Sequence, residues 1–375
     1  MTVPNTAPKT TRTGVRLMPR VGIIVPDLEM LNHFKGIILN MPPQSTCVVT
    51  GWNPSSGNNA VAEFARSHGY ITMSASQAYE TGVRFNILVS HHTHVVPSSD
   101  ILSDLGDTQV RLMYGLGKSE WNFSSWNKHY DAALCWGPYH ARNLAERYPD
   151  IKLTQVGYPR FDPFFNGSLD RQKILESLGC DPAKPVVVWL PTWTSLSSVT
   201  EYSDAIAALQ KDYNLLVKLH PGTYGEPHNM EILRQNGIPL LADRYYDNVQ
   251  LFSVADYVLA DYGGSPFGAI YTGKRLLLLN VGAASEHHHT GADSLDIKLR
   301  DWVLNINPGD RFEIGRILAD DSIWDAQLSR YEEARHEFFA PQYGTASRTA
   351  AHVLVNMLLV KLVTRIRQLT GEVDR

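Results

Sequence analysis

Residues 257–280 read YVLADYGGSPFGAIYTGKRLLLLN, and this stretch decides the fold class. A first apolar run ends at Asp261, a glycine pair follows, and a helical segment then leads into a second apolar run, RLLLLN. Uninterrupted apolar runs of this length are typical of strands that helices cover on both faces of a parallel sheet. A strand, a turn, a helix and a strand in this order predict a βαβ unit and therefore an α/β protein.

The same alternation of short apolar runs and helical stretches extends over most of the chain. It predicts a first set of strands at 21–25, 46–50, 70–73, 85–90, 110–114 and 132–135, and a second set at 186–190, 215–219, 240–242, 257–260 and 276–280. Helices are predicted at 28–39, 59–67 and 139–147 in the first set. We therefore expect two Rossmann-like, doubly wound parallel sheets that face each other across a cleft.

A segment rich in proline, glycine and polar residues separates the two sets of strands. The predicted organisation is an N-terminal domain at 1–165, a linker at 166–184, a second domain at 185–345 and a C-terminal helix at 346–375. Ligands of open α/β sheets bind outside the carboxyl ends of the strands. The cleft between the two domains is therefore where we expect the functional site.

Composition and charge limit the class of protein. The 375 residues, of which 43% are hydrophobic and 19% charged, suit two globular domains rather than a disordered chain. The net charge of −4 argues against broad nucleic-acid binding, which requires a basic surplus. The three cysteines, Cys47, Cys135 and Cys180, are far apart, so they predict reduced thiols in a cytosolic protein rather than disulfides or a zinc site.

The two ends of the chain bear on localisation. Residues 1–20 are polar and basic, but the apolar run that follows is too short for a secretory signal. No run approaches the roughly 18 to 20 uncharged apolar residues of a membrane span. We expect a cytoplasmic protein. The final helix, predicted at 346–369, carries apolar and basic residues, so it either packs against a domain, which we favour, or lies on an anionic membrane surface.

The stretch NLLVKLHPG, residues 214–222, places a histidine where a strand ends at the cleft. His220 there could donate a hydrogen bond to a phosphate oxygen or act as a general acid. Lys218 lies two residues earlier, so its side chain should point to the same face as that of His220. A histidine that merely caps the turn is the structural alternative.

The glycine pair in the first-quoted stretch predicts a phosphate site. Gly263 and Gly264 would let a phosphate approach the backbone, and the first turn of the following helix would offer free N–H groups to the anion. Ser265 is predicted as the N-cap, with proline at the first helical position. Asp261 would repel a phosphate unless it bonds elsewhere, so it could orient His220 or bind a hydroxyl. A simple strand-to-helix turn is the alternative.

Several short motifs, in order, resemble the teichoic-acid glycerophosphotransferase family. They are LMYGLGKSEWNFSSWNKHYDAALCWGP (112–138), VGYPRFD (156–162), VVVWLPTWTS (186–195), LLVKLHPG (215–222), ADYVLADYGGSPFGAIYTGKRLLLLN (255–280) and YGTASRTAAHVL (343–354). The resemblance covers roughly residues 85 to 355. It implies the GT-B fold and a CDP-glycerol donor that is a substrate, with no cofactor and no metal.

The resemblance also implies roles for individual residues. His220 would match the histidine that contacts the donor pyrophosphate, and Asp261 with the turn after it would match an aspartate-tyrosine-serine-serine stretch near the same phosphates. Pro191 and Thr192 would match a proline-threonine pair of the donor domain. Arg348, after a glycine at 344, would match an arginine that is a phosphate or interdomain partner. Lys118 could position the acceptor.

The sequence departs from the family pattern at the acceptor side. Tyr114 stands where the family has the histidine that is the usual candidate base, and a phenol is a poor base at neutral pH. The paired serines of the family are glycines here, and the N-terminal extension of some members is not seen. His92 and His94 follow the strand predicted at 85–90 and are two residues apart, so their side chains could point the same way. They are candidate substitute bases. A solvated, histidine-rich loop is the alternative.

A third histidine cluster, His287, His288 and His289, follows the strand predicted at 276–280. Adjacent side chains point in different directions, so a metal site is not favoured, and we expect a loop that grips donor or acceptor. The leading expectation is transfer of a polyol phosphate from a CDP-activated donor to a hydroxyl of a surface polymer or glycan. The alternatives are a GT-B glycosyltransferase that uses a nucleotide sugar and a catalytically degenerate homologue.

Overall fold

A computed structural model describes residues 20–52, 56–282 and 284–370 of the chain, so the polar start at 1–19 lies outside the described residues. The strands are β1 Val21–Val25, β2 Thr46–Thr50, β3 Ile71–Ser74, β4 Ile87–Ser90, β5 Gln109–Leu112, β6 Ala132–Cys135, β7 Lys152–Gln155, β8 Val186–Leu190, β9 Asn214–Val217, β10 Tyr257–Ala260, β11 Arg275–Leu279 and β12 Asn305–Ile306. The predicted α/β class is confirmed.

The helices lie between and after these strands. They are α1 Leu28–Leu39, α2 Ser56–Ser67, α3 Ala75–Glu80, α4 Ser99–Leu105, α5 Ser119–Asn122, α6 Pro138–Arg147, α7 Asp162–Phe165, α8 Arg171–Ser177, α9 Val199–Ala208, α10 Pro227–Gln235, α11 Asn248–Val254, α12 Ser265–Thr272, α13 Leu295–Lys298, α14 Ile314–Ala319, α15 Asp321–Leu328, α16 Tyr331–Phe338 and α17 Ala346–Thr370.

The strands form two parallel sheets. The first has the order β3-β2-β1-β4-β5-β6-β7 and the second the order β12-β11-β10-β8-β9. In the first sheet β1 pairs with both β2 and β4, and in the second β8 pairs with both β10 and β9. At β1 and at β8 the strand order therefore reverses direction. Crevices at such switch points, beyond the carboxyl ends of the strands, are where doubly wound sheets bind ligands.

Most predicted strands are confirmed within one or two residues, and three differences have a physical cause. β7 was missed because KLTQ is an edge strand without an apolar run. β12 has only two residues. The strand predicted at 240–242 is wrong: Leu240 makes only an isolated bridge to Val217. Helix α8 lies inside the predicted linker, and the domain bounds themselves stay a prediction.

Helix α17 returns to the first sheet. Its first half buries Ala350, Ala351, Leu354 and Leu358 in the same core as α1 and β1. Its second half exposes apolar side chains. By length and composition α17 is the one helix of the described residues that could cross a membrane, with a mean hydropathy of 1.4 in an 18-residue window that is 22% buried inside the protein. Core helices of soluble proteins pass the same test, and the docking of the first half agrees with the favoured packing interpretation.

Candidate active site between the two sheets

A cavity of about 420 Å³ lies between the carboxyl ends of the two sheets. The first sheet contributes the start of α1 and the loop after β5. The second contributes the segments that follow β8, β9 and β10. Parallel strands bring these segments to the facing edges, which is why residues far apart in the sequence line one space. Of the predicted site residues, the cavity wall includes Tyr114, Lys118, Pro191, Thr192, Lys218, His220, Gly263, Gly264 and Ser265.

His220 is a neutral hydrogen-bond donor in this cavity. Its Nδ1 accepts the backbone N–H of Gly222 at 3.1 Å, so the remaining proton of the neutral ring resides on Nε2. The ring stacks on Trp193, with 5.3 Å between centroids and 10° between planes. Loss of water around the ring, together with the nearby cations Lys118 and Lys218, lowers its pKa to about 4. At neutral pH the side chain can donate from Nε2 without carrying a charge.

Lys218 points to the same face as His220, as its parity predicted, and it also reaches the first domain. Its Nζ lies 3.3 Å from the carboxylate of Glu29 on α1, while the guanidinium of Arg160 lies 2.9 Å from the same carboxylate. Burial disfavours the charge of Glu29, but these two cations together hold its pKa well below the usual range. The cavity therefore contains a lysine whose charge is already paired across the cleft.

Arg160 extends this ion network. Its guanidinium also lies 3.2 Å from Asp247 of the second domain and donates to Nε2 of His33 at 2.7 Å. Burial and the nearby Arg160 lower the pKa of His33 to about 3, so the ring is neutral. Lys35 completes the network with a 2.6 Å contact to Asp247. Both domains are thus tied to the segment after β7 by buried charges.

Asp261 lies behind the cavity wall rather than in it. Its carboxylate accepts the N–H groups of Thr192 and Ser198 and the hydroxyl of Ser198, at 2.8–3.1 Å. Burial raises the pKa of Asp261 to about 6 despite these donors, which lower it. Asp261 therefore holds the segment after β8, which carries Pro191 and Thr192, in place. The structure gives it no contact with His220, so it does not orient that ring.

The glycine turn after β10 presents a helix start to the cavity. Gly263 has a φ of 101°, a conformation that favours glycine, and helix α12 starts at Ser265 with Gly264 as its N-cap. The predicted N-cap was therefore one residue too late. No side chain caps the helix, and Pro266 occupies its first turn. An uncapped helix N-terminus attracts an anion through its N–H groups and its dipole.

Asp296 connects the loop after β5 to the glycine turn after β10, and so links the two sides of the cavity. Its carboxylate accepts the N–H of Lys118 at 2.5 Å and the N–H of Gly263 at 3.0 Å. Lys118 is a non-glycine residue with a positive φ, 57°, so its backbone is strained and Asp296 stabilises it. The Lys118 ammonium lies 5.9 Å from the Trp193 ring. Burial lowers the pKa of Lys118, although the nearby Asp296 opposes this.

Tyr114, which follows β5 of the first sheet, lines the cavity. Its hydroxyl accepts the indole N–H of Trp121 at 3.1 Å, and burial raises its pKa. Trp121 separates the predicted substitute bases from the cavity: His94 stacks on it with 5.3 Å between centroids, and neither His92 nor His94 lines the cavity wall. Burial and the nearby His94 lower the pKa of His92 to about 3. A catalytic role for these histidines stays a prediction.

The remaining predicted residues lie elsewhere. Arg348 is exposed on α17 and is not part of the cavity wall. Of the three histidines after β11, only His289 lines the cavity. Among the described residues, no group of three or more histidine, cysteine or acidic side chains is placed to hold a metal ion.

Five residues of the site were not among the predicted site residues: Glu29, His33, Arg160, Trp193 and Asp296. Arg160 lies in the quoted motif VGYPRFD, and its place in that motif is the sequence signal that could have identified it as a site residue. Nothing in the local sequence indicates that Glu29 and Asp296 contact partners 131 and 178 residues away.

Comparisons with known proteins agree with this geometry. Residues 98–268 match the sequence model of the family described as CDP-glycerol:poly(glycerophosphate) glycerophosphotransferase. A comparison with curated proteins found no match. Among solved structures, a variant of the wall teichoic acid polymerase TagF soaked with CDPG is 14% identical with a TM-score of 0.65, over 93% of this chain and 91% of that chain.

Two further structures share the fold. Anabaena Alr3699/HepE in complex with UDP and glucose is 13% identical with a TM-score of 0.55, over 90% of this chain and 99% of that chain. The S. aureus MnaA–UDP structure is 11% identical with a TM-score of 0.57, over 96% and 98% of the two chains. At these identities the likeness concerns the two-domain fold, and the predicted GT-B arrangement is confirmed.

Proposed function

We propose that the chain transfers glycerol phosphate from CDP-glycerol to a hydroxyl of a surface polymer, because residues 98–268 match the model of the CDP-glycerol:poly(glycerophosphate) glycerophosphotransferase family. The observation that carries this proposal is the position of His220. Its Nε2 proton, the start of α12 and the ammonium groups of Lys118 and Lys218 belong to one cavity. Donors and cations of this kind suit a diphosphate.

The reaction is a displacement at phosphorus. The acceptor hydroxyl loses its proton and its oxygen attacks the distal phosphorus, which carries the glycerol. The bond between that phosphorus and the bridging oxygen breaks, and CMP leaves with the electron pair. Negative charge grows on the bridging and the non-bridging oxygens. His220 and the N–H groups at the start of α12 are fixed donors for this charge, and fixed donors stabilise a transition state because they need no reorganisation.

The test measures nucleotide release by the purified protein with a glycerol-phosphate oligomer as acceptor. We expect CMP from CDP-glycerol and no UDP from nucleotide sugars. His220→Ala should lower turnover by about 100- to 1000-fold, the usual effect of removing one charge-stabilising donor. His228→Ala, an exposed histidine on α10, is the matched control and should behave as wild type. UDP release from a nucleotide sugar, or CDP-glycerol binding without turnover, would contradict the proposal.

Catalysis without a bound metal or cofactor is part of the proposal. Its support is the set of protein cations and N–H donors that already lines the cavity. Turnover should therefore persist in excess EDTA. Activity that disappears with EDTA and returns with added Mg²⁺ would show that these donors do not suffice.

A polymer acceptor at the cell envelope suggests that the protein works as a cytoplasmic protein on the inner face of the membrane. The second half of α17 supports this, because it exposes Leu359, Val360, Val363, Ile366 and Leu369 and also carries Lys361 and Arg365. Exposed apolar side chains next to basic ones bind anionic interfaces.

Vesicle sedimentation tests the membrane contact. The protein should sediment with phosphatidylglycerol vesicles more than with phosphatidylcholine vesicles, and the double variant Val363→Asp with Ile366→Asp should lose this binding. Phe312→Asp, an equally exposed apolar residue of the second domain, is the control. Equal sedimentation of all three proteins would contradict the proposal, which is independent of the transfer reaction.

A further inference from the structure

The loop after β11 carries an imidazole from the second domain to the acceptor side of the cavity. His289 lines the cavity, and its carbonyl oxygen accepts the backbone N–H of Trp121 at 3.3 Å. The His289 ring packs on the Trp121 ring, with 5.5 Å between centroids. Trp121 in turn donates its indole N–H to the hydroxyl of Tyr114, which also lines the cavity. The His289 ring therefore lies where the loop after β11 meets the segment after β5.

Among the described residues, three imidazole rings line the cavity, and in two of them the nitrogen lone pair already accepts a hydrogen bond. A neutral imidazole has one nitrogen lone pair that can accept a proton. In His220 this lone pair accepts the N–H of Gly222, and in His33 it accepts the guanidinium of Arg160. Among the described residues the ring of His289 accepts no hydrogen bond. Its lone pair is the available one.

The hydroxyl of Tyr114 and the carboxylate of Glu29, which also line the cavity, are engaged as well. The hydroxyl of Tyr114 accepts the indole N–H of Trp121, and its burial favours the neutral phenol. The carboxylate oxygens of Glu29 are bound by Arg160 and Lys218. Partial burial and the neighbouring His288 and Lys118 lower the pKa of His289 to about 4, so the ring is in its basic form at neutral pH.

We propose that His289 is the general base for the acceptor hydroxyl and acts on it from the second domain. This inference rests on the proposed function. The acceptor O–H proton passes to the free ring nitrogen of His289, while the acceptor oxygen forms its bond to the distal phosphorus of CDP-glycerol. CMP leaves with the electron pair of the bond that breaks. Because His289 is only partly buried, the imidazolium then loses its proton to solvent.

The test compares His289→Ala with His288→Ala, its exposed neighbour that does not line the cavity. His289→Ala should lower kcat by about 100-fold or more, the usual effect of losing a general base. The dissociation constant for CDP-glycerol, measured by calorimetry, should stay within about twofold, since the base acts on the acceptor. Added imidazole should restore part of the kcat of His289→Ala. His288→Ala should keep wild-type kcat.

Two results would overturn the assignment: a kcat of His289→Ala within about threefold of wild type, or a loss that imidazole does not rescue and that accompanies weaker CDP-glycerol binding. Both presuppose wild-type CMP release. If the wild-type protein releases no CMP from CDP-glycerol, the proposed function itself is wrong, and so is the assignment of His289 as the base. The wild-type assay therefore separates the two failures.

Discussion

The chemistry of this cavity depends on single side chains, and above all on which of their polar atoms already take part in hydrogen bonds. His220 and Lys218 could be predicted because both follow one strand, where parity fixes the direction of the side chains. The roles of Glu29 and Asp296 could not be predicted, because their partners lie on the other domain. Asp261 was predicted as a site residue, yet its carboxylate accepts hydrogen bonds from four donor groups, on residues 192, 198 and 262.

Tyr114→Phe tests the acceptor side at this scale. Burial raises the pKa of the phenol, so Tyr114 does not act as a base, and we expect turnover within about threefold of wild type. The indole N–H of Trp121 loses its acceptor, which should cost about 1 kcal/mol of folding free energy. Steady-state kinetics and urea unfolding measure the two effects. A loss of turnover above about 100-fold would place Tyr114 in the proton transfer.

Short secondary-structure elements set the distance between the two sides of the cavity. Helix α13 carries Asp296, which binds the N–H groups of Lys118 and Gly263 and so connects the loop after β5 to the turn after β10. The sequence indicated both loops but not the short helix that joins them. The same reason explains the missed strands β7 and β12, which are polar or very short. Local patterns reveal long apolar elements and miss short ones that tertiary contacts stabilise.

Asp296→Asn should loosen this connection. The amide keeps one acceptor but turns its NH₂ group toward a backbone donor, so one buried N–H is left unpaired at a cost of about 1–3 kcal/mol. We expect a lower melting temperature and a reduced kcat/KM for CDP-glycerol. Asp293→Asn is the matched control, because its carboxylate is exposed and pairs with Lys298. Equal behaviour of the two variants would show that the connection does not matter.

At the scale of the whole molecule, buried charges join the domains. Glu29 on α1, Arg160 after β7 and Asp247 in the second domain form one network. Removing Arg160 takes one cation from each of two buried carboxylates and leaves Glu29 with Lys218 and Asp247 with Lys35, so Arg160→Met should destabilise the protein by about 3 kcal/mol. Arg142→Met removes an exposed pair with Glu337 and should cost less than about 1 kcal/mol. Urea unfolding of both variants measures the difference, and equal stabilities would contradict this account.

Buried histidines should make the whole molecule sensitive to acid. His140 bonds the backbone at both ring nitrogens, and burial lowers its pKa to about 3. The unfolded chain therefore binds a proton below pH ~6.5 that the folded protein does not, and stability falls as the pH is lowered.

Between pH 7 and pH 5, uptake of this proton by the unfolded chain should lower the free energy of unfolding by about 2 kcal/mol. His140→Gln should abolish this contribution to the pH dependence. Urea unfolding at the two pH values measures it. His228→Gln, at an exposed position, should keep the wild-type pH dependence. An identical pH dependence for all three proteins would contradict a neutral, buried His140.

A crystal structure with bound CDP-glycerol tests the central claim most directly, namely that the donor diphosphate lies against the second sheet. We predict a diphosphate oxygen about 2.7–3.2 Å from Nε2 of His220, and a second oxygen at the N–H groups of Gly264 and Ser265. A diphosphate bound outside this cavity, or bound without contact to His220 and the start of α12, would contradict the account.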